Sequence, residues 1–449
     1  MFRKKISAVK VPHHKNTAGL EPVKLAPPSE VLLPLKISSH SVPDNIPTVE
    51  VGDHVYVGQL IALESGKGTA NVHATVSGTV ASLDEQVVTP NGGAAAIKIV
   101  SDGKMEVDPE IKVPVAHDVQ EFLDLIRASG IVGLGGAAYP LWAKLDAIRR
   151  GPIKTVLVNG AECEPFITSD HRTMLDSTEY VVKGIDLLRE FLKSEEFIIG
   201  IENNKPDAIK KLTDAFKDAA DVKIMPLESV YPQGAKQVLL YNATGLVVEK
   251  GQRLASLGTI IINITTLAKL GEYFTTGMPL VERCLTIDGA AVKEPKNVIV
   301  PIGTKLSYIL ENCGGLQTEP GKIIFGGPMM GKTVDTIEAP ILKATNAVLV
   351  FPPEMASAPD ASACIHCGKC VEACPLNLDP VAIAKAMDCD DEDERAAALT
   401  REQVNLCMNC GSCSFVCPAK RPIAETNTKA KGVLKKYNAA HSDKEGGRK

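Results

Sequence analysis

Along residues 30–113 apolar and polar positions alternate in short runs, among them Thr48-Val49-Glu50-Val51, His54-Val55-Tyr56-Val57 and Gly78-Thr79-Val80-Ala81, parted by Gly, Pro, Asn and Asp. A period of two places every second side chain on one face of a strand, so this stretch predicts an all-β domain with tight turns. From residue 114 the period changes. Val119, Phe122, Leu123 and Ile126 fall three and four apart and predict an amphipathic helix over 119–128. Further helices are predicted near 141–149, 177–192, 207–219 and 234–242, alternating with apolar strands at 155–158, 197–201, 222–225 and 259–264. That alternation implies a largely parallel sheet covered by helices, so 114–282 reads as one α/β domain. Over 283–350 short strands return with turns at Gly303, Gly314-Gly315 and Gly326-Gly327-Pro328, the outline of a small α+β module. Residues 1–29, with Pro12, His13, His14 and Pro27-Pro28, show no period and read as a wrapping arm; adjacent histidines do not easily face one metal. The Lys-rich, polar stretch 428–449 reads as a flexible tail.

Composition narrows the class. The 449 residues are 45% hydrophobic and 23% charged, values of a globular, multidomain protein. A net charge of −5 gives no basic surplus for nucleic acid. No apolar run approaches the roughly 18 residues of a membrane span; the greasiest stretch, 257–270, is interrupted by Asn263, Thr265 and Thr266. Met1-Phe-Arg-Lys-Lys5 is not followed by the apolar segment of a secretory signal. The setting expected is therefore cytoplasmic, where thiols stay reduced and crowded cysteines act as metal ligands.

Eight of the 12 cysteines fall in two runs within 351–427. The first is Cys364-Ile-His-Cys367-Gly-Lys-Cys370-Val-Glu-Ala-Cys374-Pro375, the second Cys407-Met-Asn-Cys410-Gly-Ser-Cys413-Ser-Phe-Val-Cys417-Pro418. This C-x₂-C-x₂-C-x₃-C-P spacing holds 4Fe–4S clusters: three thiolates on one tight turn reach three irons, and the fourth, ahead of a Pro, serves the other cluster. One cluster is thus assigned to Cys364, Cys367, Cys370 and Cys417, the other to Cys407, Cys410, Cys413 and Cys374. Zinc sites use paired C-x₂-C rather than repeated triplets, which makes zinc the weaker reading. Helical content at 380–387 and 394–406 indicates a helical two-cluster ferredoxin domain. Cys163, Cys284, Cys313 and Cys389 read as spare or packing thiols.

Two further motifs lie in the α/β domain. Gly133-Leu-Gly135-Gly136-Ala137-Ala138-Tyr139-Pro140, with Lys144 beyond it, sits between two predicted helices. Glycines let a phosphate or ring approach the backbone, although no Gly-Lys-Ser/Thr follows and no strand precedes. Asn159-Gly-Ala-Glu162-Cys163-Glu164-Pro165 directly follows an apolar strand, and strand carboxyl ends are where open α/β sheets bind ligands. Read alone, it is equally a polar turn.

Together these motifs resemble the flavin- and NADH-binding subunit of respiratory complex I, which carries Gly-Arg-Gly-Gly-Ala-Gly-Phe-Pro with a later Lys, then Asn-Ala-Asp-Glu-Ser-Glu-Pro. Tyr231-Pro-Gln-Gly234 and Asn263-Ile-Thr-Thr resemble two later segments of that family, and 283–341 its soluble-ligand-binding β-grasp (SLBB) module. Residues 51–59 and 72–80 resemble the barrel-sandwich hybrid of biotinyl and lipoyl carriers; Lys67, between Gly66 and Gly68, lacks the flanking residues of a modified lysine. The order barrel-sandwich hybrid, flavin/NADH α/β domain, β-grasp and two-cluster ferredoxin is similar to the C-subunit family of Rnf electron-transport complexes. Val11-Pro-His-His-Lys15, Phe325-Gly-Gly-Pro-Met-Met-Gly331 and Cys417-Pro-Ala-Lys-Arg-Pro422 add to that likeness.

The resemblance implies FMN held around Gly133, Gly135, Gly136, Ala137, Lys144, Asn159, Tyr231, Gly234 and Asn263, with Glu162 and Glu164 on the nicotinamide side. Leu134, Ala138, Ala161, Ala235 and Lys236 depart from the complex I pattern. It further implies hydride exchange between NAD(H) and FMN, electron relay through two 4Fe–4S clusters, and a peripheral place on the cytoplasmic face of a membrane. The implied partners are membrane-embedded Rnf subunits and an iron–sulfur subunit fed by ferredoxin, with electron flow coupled to Na⁺ or H⁺ translocation. Two alternatives stay open: a soluble flavin–iron–sulfur reductase similar to cobalamin reductases, and a flavin-free electron carrier.

Overall fold

The computed structural model describes residues 6–36, 43–249 and 251–445. They pack as two units: a larger one of residues 13–228 and 252–356, and a smaller one of 1–12, 229–251 and 357–449.

The larger unit begins with two small antiparallel sheets. One has the strand order Glu30–Pro34, Gly92–Ser101, Gly78–Thr89, His54–Val55; the other runs Ile46–Pro47, Leu60–Leu63, Val72–His73. Alternate residues such as Val31, Leu33, Val80, Ile97 and Ile99 turn inward and meet Ile61 and Val72 in one core. The alternation read from the sequence therefore builds the expected barrel sandwich. His73 is buried there beside Lys343, whose Nζ donates to the carbonyls of Asn71 (2.5 Å) and Gly130 (2.8 Å). Burial, then the adjacent ammonium, push the His73 imidazole down to about 3.

That shift has a sign. Between its ordinary value and about 3 the unfolded chain takes up a proton that folded His73 refuses, so stability falls as the pH falls. The expected slope is at most about 1.4 kcal/mol per pH unit below roughly pH 6.5. His73→Gln keeps a donor for the Ala128 carbonyl without titrating and should flatten the slope. Urea midpoints measured from pH 7 to pH 4 decide it; equal slopes in both proteins would rule the assignment out.

The α/β body is a four-stranded parallel sheet ordered Val222–Leu227, Glu196–Glu202, Thr155–Gly160, Thr259–Asn263. Val156, Leu157 and Val158 pair in register with Phe197, Ile198 and Ile199 on one side and with Ile260, Ile261 and Ile262 on the other. Two helices escaped the sequence reading. Ser169–Asp176 is polar yet buried, and Ile264–Thr276 starts where the apolar strand was taken to end. The second packs against Thr178–Leu192 with glycine facing glycine. A Cβ on Gly271 would lie 2.0 Å from the Tyr180 carbonyl oxygen, and one on Gly184 2.5 Å from that of Leu267.

The third part is a six-stranded mixed sheet ordered Val23–Lys24, Lys296–Pro301, Glu282–Asp288, Ala347–Phe351, Lys322–Phe325, Lys332–Val334. The helix Leu306–Asn312 buries Leu306, Ile309 and Leu310 in its core. Part of the N-terminal arm is thus an edge strand, with Val23 and Lys24 paired parallel to Val298 and Ile299.

The smaller unit is helical. Pro380–Ala386, Glu392–Arg401 and Ile423–Glu445 share a core of Ile383, Leu399, Val404, Ala430 and Leu434. The stretch expected to be a flexible tail is therefore helix through Glu445, while 446–449 lie outside the described residues. Asn427, Ala430 and Leu434, at helical spacing, are 2%, 0% and 1% exposed, a narrow buried stripe masked by surrounding lysines. Residues 229–251, read as part of the α/β domain, group with this unit instead.

Candidate functional site

The strand Thr155–Gly160 is followed in sequence by strands added on one side, and Thr259–Asn263 then joins on its other side. This reversal of strand order makes a crevice beyond the carboxyl ends of the two strands, the ligand position of open α/β sheets. Asn159 and Asn263, paired across the sheet, mark its floor.

Asn263 is held at both ends. Its Oδ1 accepts from Thr266 N–H at 3.1 Å, capping Ile264–Thr276, and its Nδ2 donates to Asp170 Oδ2 at 2.7 Å. Thr265 Oγ1 donates to the other Asp170 oxygen at 2.6 Å. Burial raises the Asp170 carboxyl, against the pull of these donors and of the Arg283 guanidinium. Arg283, 1% exposed, donates from Nε to the Thr345 carbonyl and from Nη2 to that of Leu134, both at 3.2 Å. Asp170 and Arg283 went unread in the sequence, because a polar residue inside a helix or strand gives no sign of being buried.

The glycine loop lies against this network. Leu134 N–H donates to Thr266 Oγ1 at 2.8 Å, and Gly133 N–H to the Tyr139 carbonyl at 2.8 Å. A Cβ on Gly135 would stand 3.3 Å from Asn263 Nδ2, so this position has little room for a side chain. Gly136, at φ +106°, borders open space. Ala138 adopts φ +52°, where a Cβ is disfavoured, which explains why the resembling motif has Gly at that place. Lys144 Nζ donates to the Ile261 carbonyl at 2.9 Å, tying the far side of the loop to the sheet.

The acidic strand end is more engaged than expected. Glu162 Oε1 accepts from the Asp170 N–H at 2.6 Å and so caps the helix Ser169–Asp176. Glu164 Oε2 accepts from Met329 N–H at 3.0 Å, in the Gly-Gly-Pro-Met-Met-Gly turn. A Cβ on Gly327 would be 2.2 Å from that same oxygen, so this glycine makes the room for the carboxylate. Both acids, expected on the nicotinamide side, thus have structural partners. Gly133, Gly135, Gly136, Ala137, Lys144, Asn159, Glu162, Glu164 and Asn263 belong to the larger unit; Tyr231 and Gly234 belong to the smaller.

In the smaller unit the two cysteine runs are conformational copies. His366 and Gly368 in the first and Asn409 and Gly411 in the second all have positive φ, and the short helices Lys369–Glu372 and Ser412–Phe415 follow. Cys374 from the first run lines one cavity with Cys407, Cys410 and Cys413 from the second. Cys417 neighbours Cys370 in a second buried cluster. Burial, reinforced by neighbouring thiols, pushes the Cys413 thiol up to about 12, so a cation is what would favour its thiolate. The thiols line walls instead of meeting at a point; among the described residues no three His, Cys, Asp or Glu side chains converge on a single-ion site. Soft thiol donors lining one cavity are the donor set of a four-iron cube. Tyr231 Oη donates to the Cys410 carbonyl at 2.7 Å and Lys431 Nζ to that of Cys407 at 2.7 Å, steadying the second run from outside. Tyr231, expected at the flavin, therefore touches the cluster loop.

Comparison with known proteins agrees with this layout. Residues 5–104 match the RnfC barrel sandwich hybrid domain, 126–272 the Nuo51 FMN-binding domain, 285–333 the SLBB domain and 360–421 the 4Fe-4S dicluster domain. A crystal structure of an NAD⁺-reducing [NiFe]-hydrogenase shares the fold with TM-score 0.51 at 17% identity, over 71% of this chain and 63%, less than two thirds, of that one. The RnfC-type member of the Na⁺-translocating ferredoxin:NAD⁺ oxidoreductase complex of Acetobacterium woodii is 36% identical over 83% of this chain and 85% of its own length. Its counterpart in the proton-translocating ferredoxin:NAD⁺ oxidoreductase complex of Clostridium ljungdahlii is 38% identical over 82% of this chain and 80% of its own. Identity at that level, sustained across four-fifths of both partners, places the chain in the RnfC family of ion-translocating ferredoxin:NAD⁺ oxidoreductase complexes.

Proposed function

We propose that this chain is the NAD(H)-facing electron-transfer subunit of a membrane-bound complex that couples ferredoxin:NAD⁺ oxidoreduction to Na⁺ or H⁺ translocation. The observation that carries the reading is the convergence of the glycine loop and Asn263 at the strand-order reversal, because a flavin site separates an NADH-linked subunit from a passive carrier. FMN supplies the exchange between two-electron hydride chemistry and one-electron transfer, and two 4Fe–4S clusters supply the one-electron path. Gly135 and Gly136 keep the loop free of side chains where the cofactor would lie, and Lys144 anchors the loop to the sheet. Asp170 fixes which way the Asn263 amide faces. Asn159, Ala137 and Gly133 complete the cradle in this reading, with Glu162 and Glu164 shaping the loop beside it. Cys364, Cys367, Cys370 and Cys417 are the ligands proposed for one cluster, and Cys407, Cys410, Cys413 and Cys374 for the other. Among the described residues no helix is long and apolar enough to cross a membrane, so attachment to the cytoplasmic face is assigned to membrane-embedded partner subunits. A further iron–sulfur subunit would take electrons from ferredoxin.

Anaerobic protein should hold about eight iron and roughly one FMN per chain, with flavin absorbance that NADH bleaches. Iron without flavin, even after reconstitution, would leave a carrier. Membrane subunits should co-purify with the native protein; their absence would favour a soluble reductase.

A further inference from the structure

Three residues of the arm, His13, His14 and Lys15, are stitched to the loop that follows the strand Thr155–Gly160. Phe166 N–H donates to the His13 carbonyl at 2.9 Å, and the His14 ring stacks on the Phe166 ring at 4.8 Å and 12°. Lys15 goes deepest. Its Nζ donates to the carbonyls of Glu162 (2.8 Å), Glu164 (2.9 Å) and Ile167 (2.5 Å). From another direction Lys205, 2% exposed, donates to the Ala161 carbonyl at 2.7 Å. Glu162 Oε2 stands 3.9 Å from Lys15 Nζ, beyond hydrogen-bond reach, and the three carbonyls take up all three ammonium donors.

The loop needs this support. Glu162 and Phe166 have φ of +53° and +70°, left-handed conformations that a Cβ disfavours. Such residues persist when their surroundings over-determine them, and they gather at functional sites. A peptide unit is planar and trans, so turning the carbonyls of Ala161 and Glu162 toward ammonium groups turns the N–H groups of Glu162 and Cys163 the opposite way.

We propose that Lys15 is a positioning residue for the cofactor site: by drawing three carbonyls onto one point it fixes the backbone of residues 162–167 in the conformation that receives FMN. The inference rests on the reading that this strand-end loop borders the flavin, and it assigns a role to the His-His-Lys segment of the arm. Burial drives the Lys15 ammonium below its ordinary value while the Glu162 carboxylate pulls it back. The geometry asks for a point donor. A planar guanidinium fork cannot place three donors on three carbonyls that converge on one atom, so arginine should not substitute.

The test uses the full-length protein, reconstituted with clusters and titrated with FMN, following quenching of flavin fluorescence. Lys15→Met should weaken FMN binding at least about tenfold, the equivalent of about 1.4 kcal/mol, while iron content stays at the wild-type value. Lys15→Arg should not restore it. His14→Ala, which removes only the ring stacked on Phe166, should weaken FMN binding in the same direction and keeps the experiment decisive if Lys15→Met does not accumulate. Wild-type FMN affinity in Lys15→Met, in His14→Ala or in Lys15→Arg would overturn the proposal. Absence of FMN binding in the wild-type protein would instead sink the flavin reading itself.

Discussion

Replacing Cys417 by Ala is expected to damage the cluster bound by Cys364, Cys367 and Cys370, although Cys417 lies in the other run. The chain turns at Pro375 and Pro418, and what lies beyond each turn is visible in the packing. Cys374 lines the cavity of Cys407, Cys410 and Cys413, while Cys417 is buried beside Cys370. A cube that loses one thiolate either drops an iron or dissociates, so iron should fall from about eight per chain toward seven or four. The measurement is low-temperature electron paramagnetic resonance of the reduced protein, with Cys367→Ala and Cys410→Ala as references. Cys417→Ala should reproduce the spectrum of Cys367→Ala, and Cys374→Ala that of Cys410→Ala. The reverse pairing would mean that each run binds its own cube.

The second large effect is structural. Gly271→Ala should unfold the α/β body or nearly so. Exchanging Gly for Ala inside a helix ordinarily gains about 1 kcal/mol in propensity. Here the new Cβ meets the Tyr180 carbonyl oxygen at 2.0 Å, and backbone cannot step aside without parting the helices Thr178–Leu192 and Ile264–Thr276. Overpacking costs typically about 1–3 kcal/mol when side chains can yield, and a backbone clash belongs at or beyond the top of that range. Gly184→Ala, at 2.5 Å from the Leu267 carbonyl, should be damaging but milder. Because Asn263 caps one of these helices, flavin release during urea unfolding reports on this body apart from the cluster unit. A Gly271→Ala protein that keeps its flavin at the wild-type urea concentration would refute the close crossing.

How far the residues announced this arrangement varied with the kind of signal. The cysteine runs were legible as a two-cluster iron–sulfur domain, since coordination chemistry constrains spacing. Period-two alternation gave the all-β domain and the apolar strands the parallel sheet, while the barrel-sandwich arrangement came from the resemblance of 51–59 and 72–80. The helix Ser169–Asp176 was hidden because two of its polar residues find partners inside the fold: Asp170 in Asn263 and Thr265, Thr173 in Thr265. The C-terminal helix was hidden because a stripe as narrow as Asn427, Ala430 and Leu434 is drowned by lysines. The partners of Glu162 and Glu164 were beyond reach, for nothing local shows that a carboxylate will meet a turn more than 160 residues later, as Glu164 meets Met329. Lys15 is the sharpest case, an ordinary surface residue by composition and a half-buried clamp in the fold.

The smaller unit is assembled from residues 1–12, 229–251 and 357–449, and this fixes an order of maturation. During synthesis every residue of the larger unit has left the ribosome once residue 356 has emerged, before either cysteine run does. That body can close its core early. The iron-binding unit cannot: two of its three pieces wait, and Cys417, proposed to complete the first cube, is made after both runs' other ligands. Iron loading is therefore a late step. Until then Tyr231, Val238, Leu239 and Leu240, all at most 1% exposed in the finished protein, lack the rest of their unit. They are apolar surface that the nascent chain leaves uncovered until the last piece arrives.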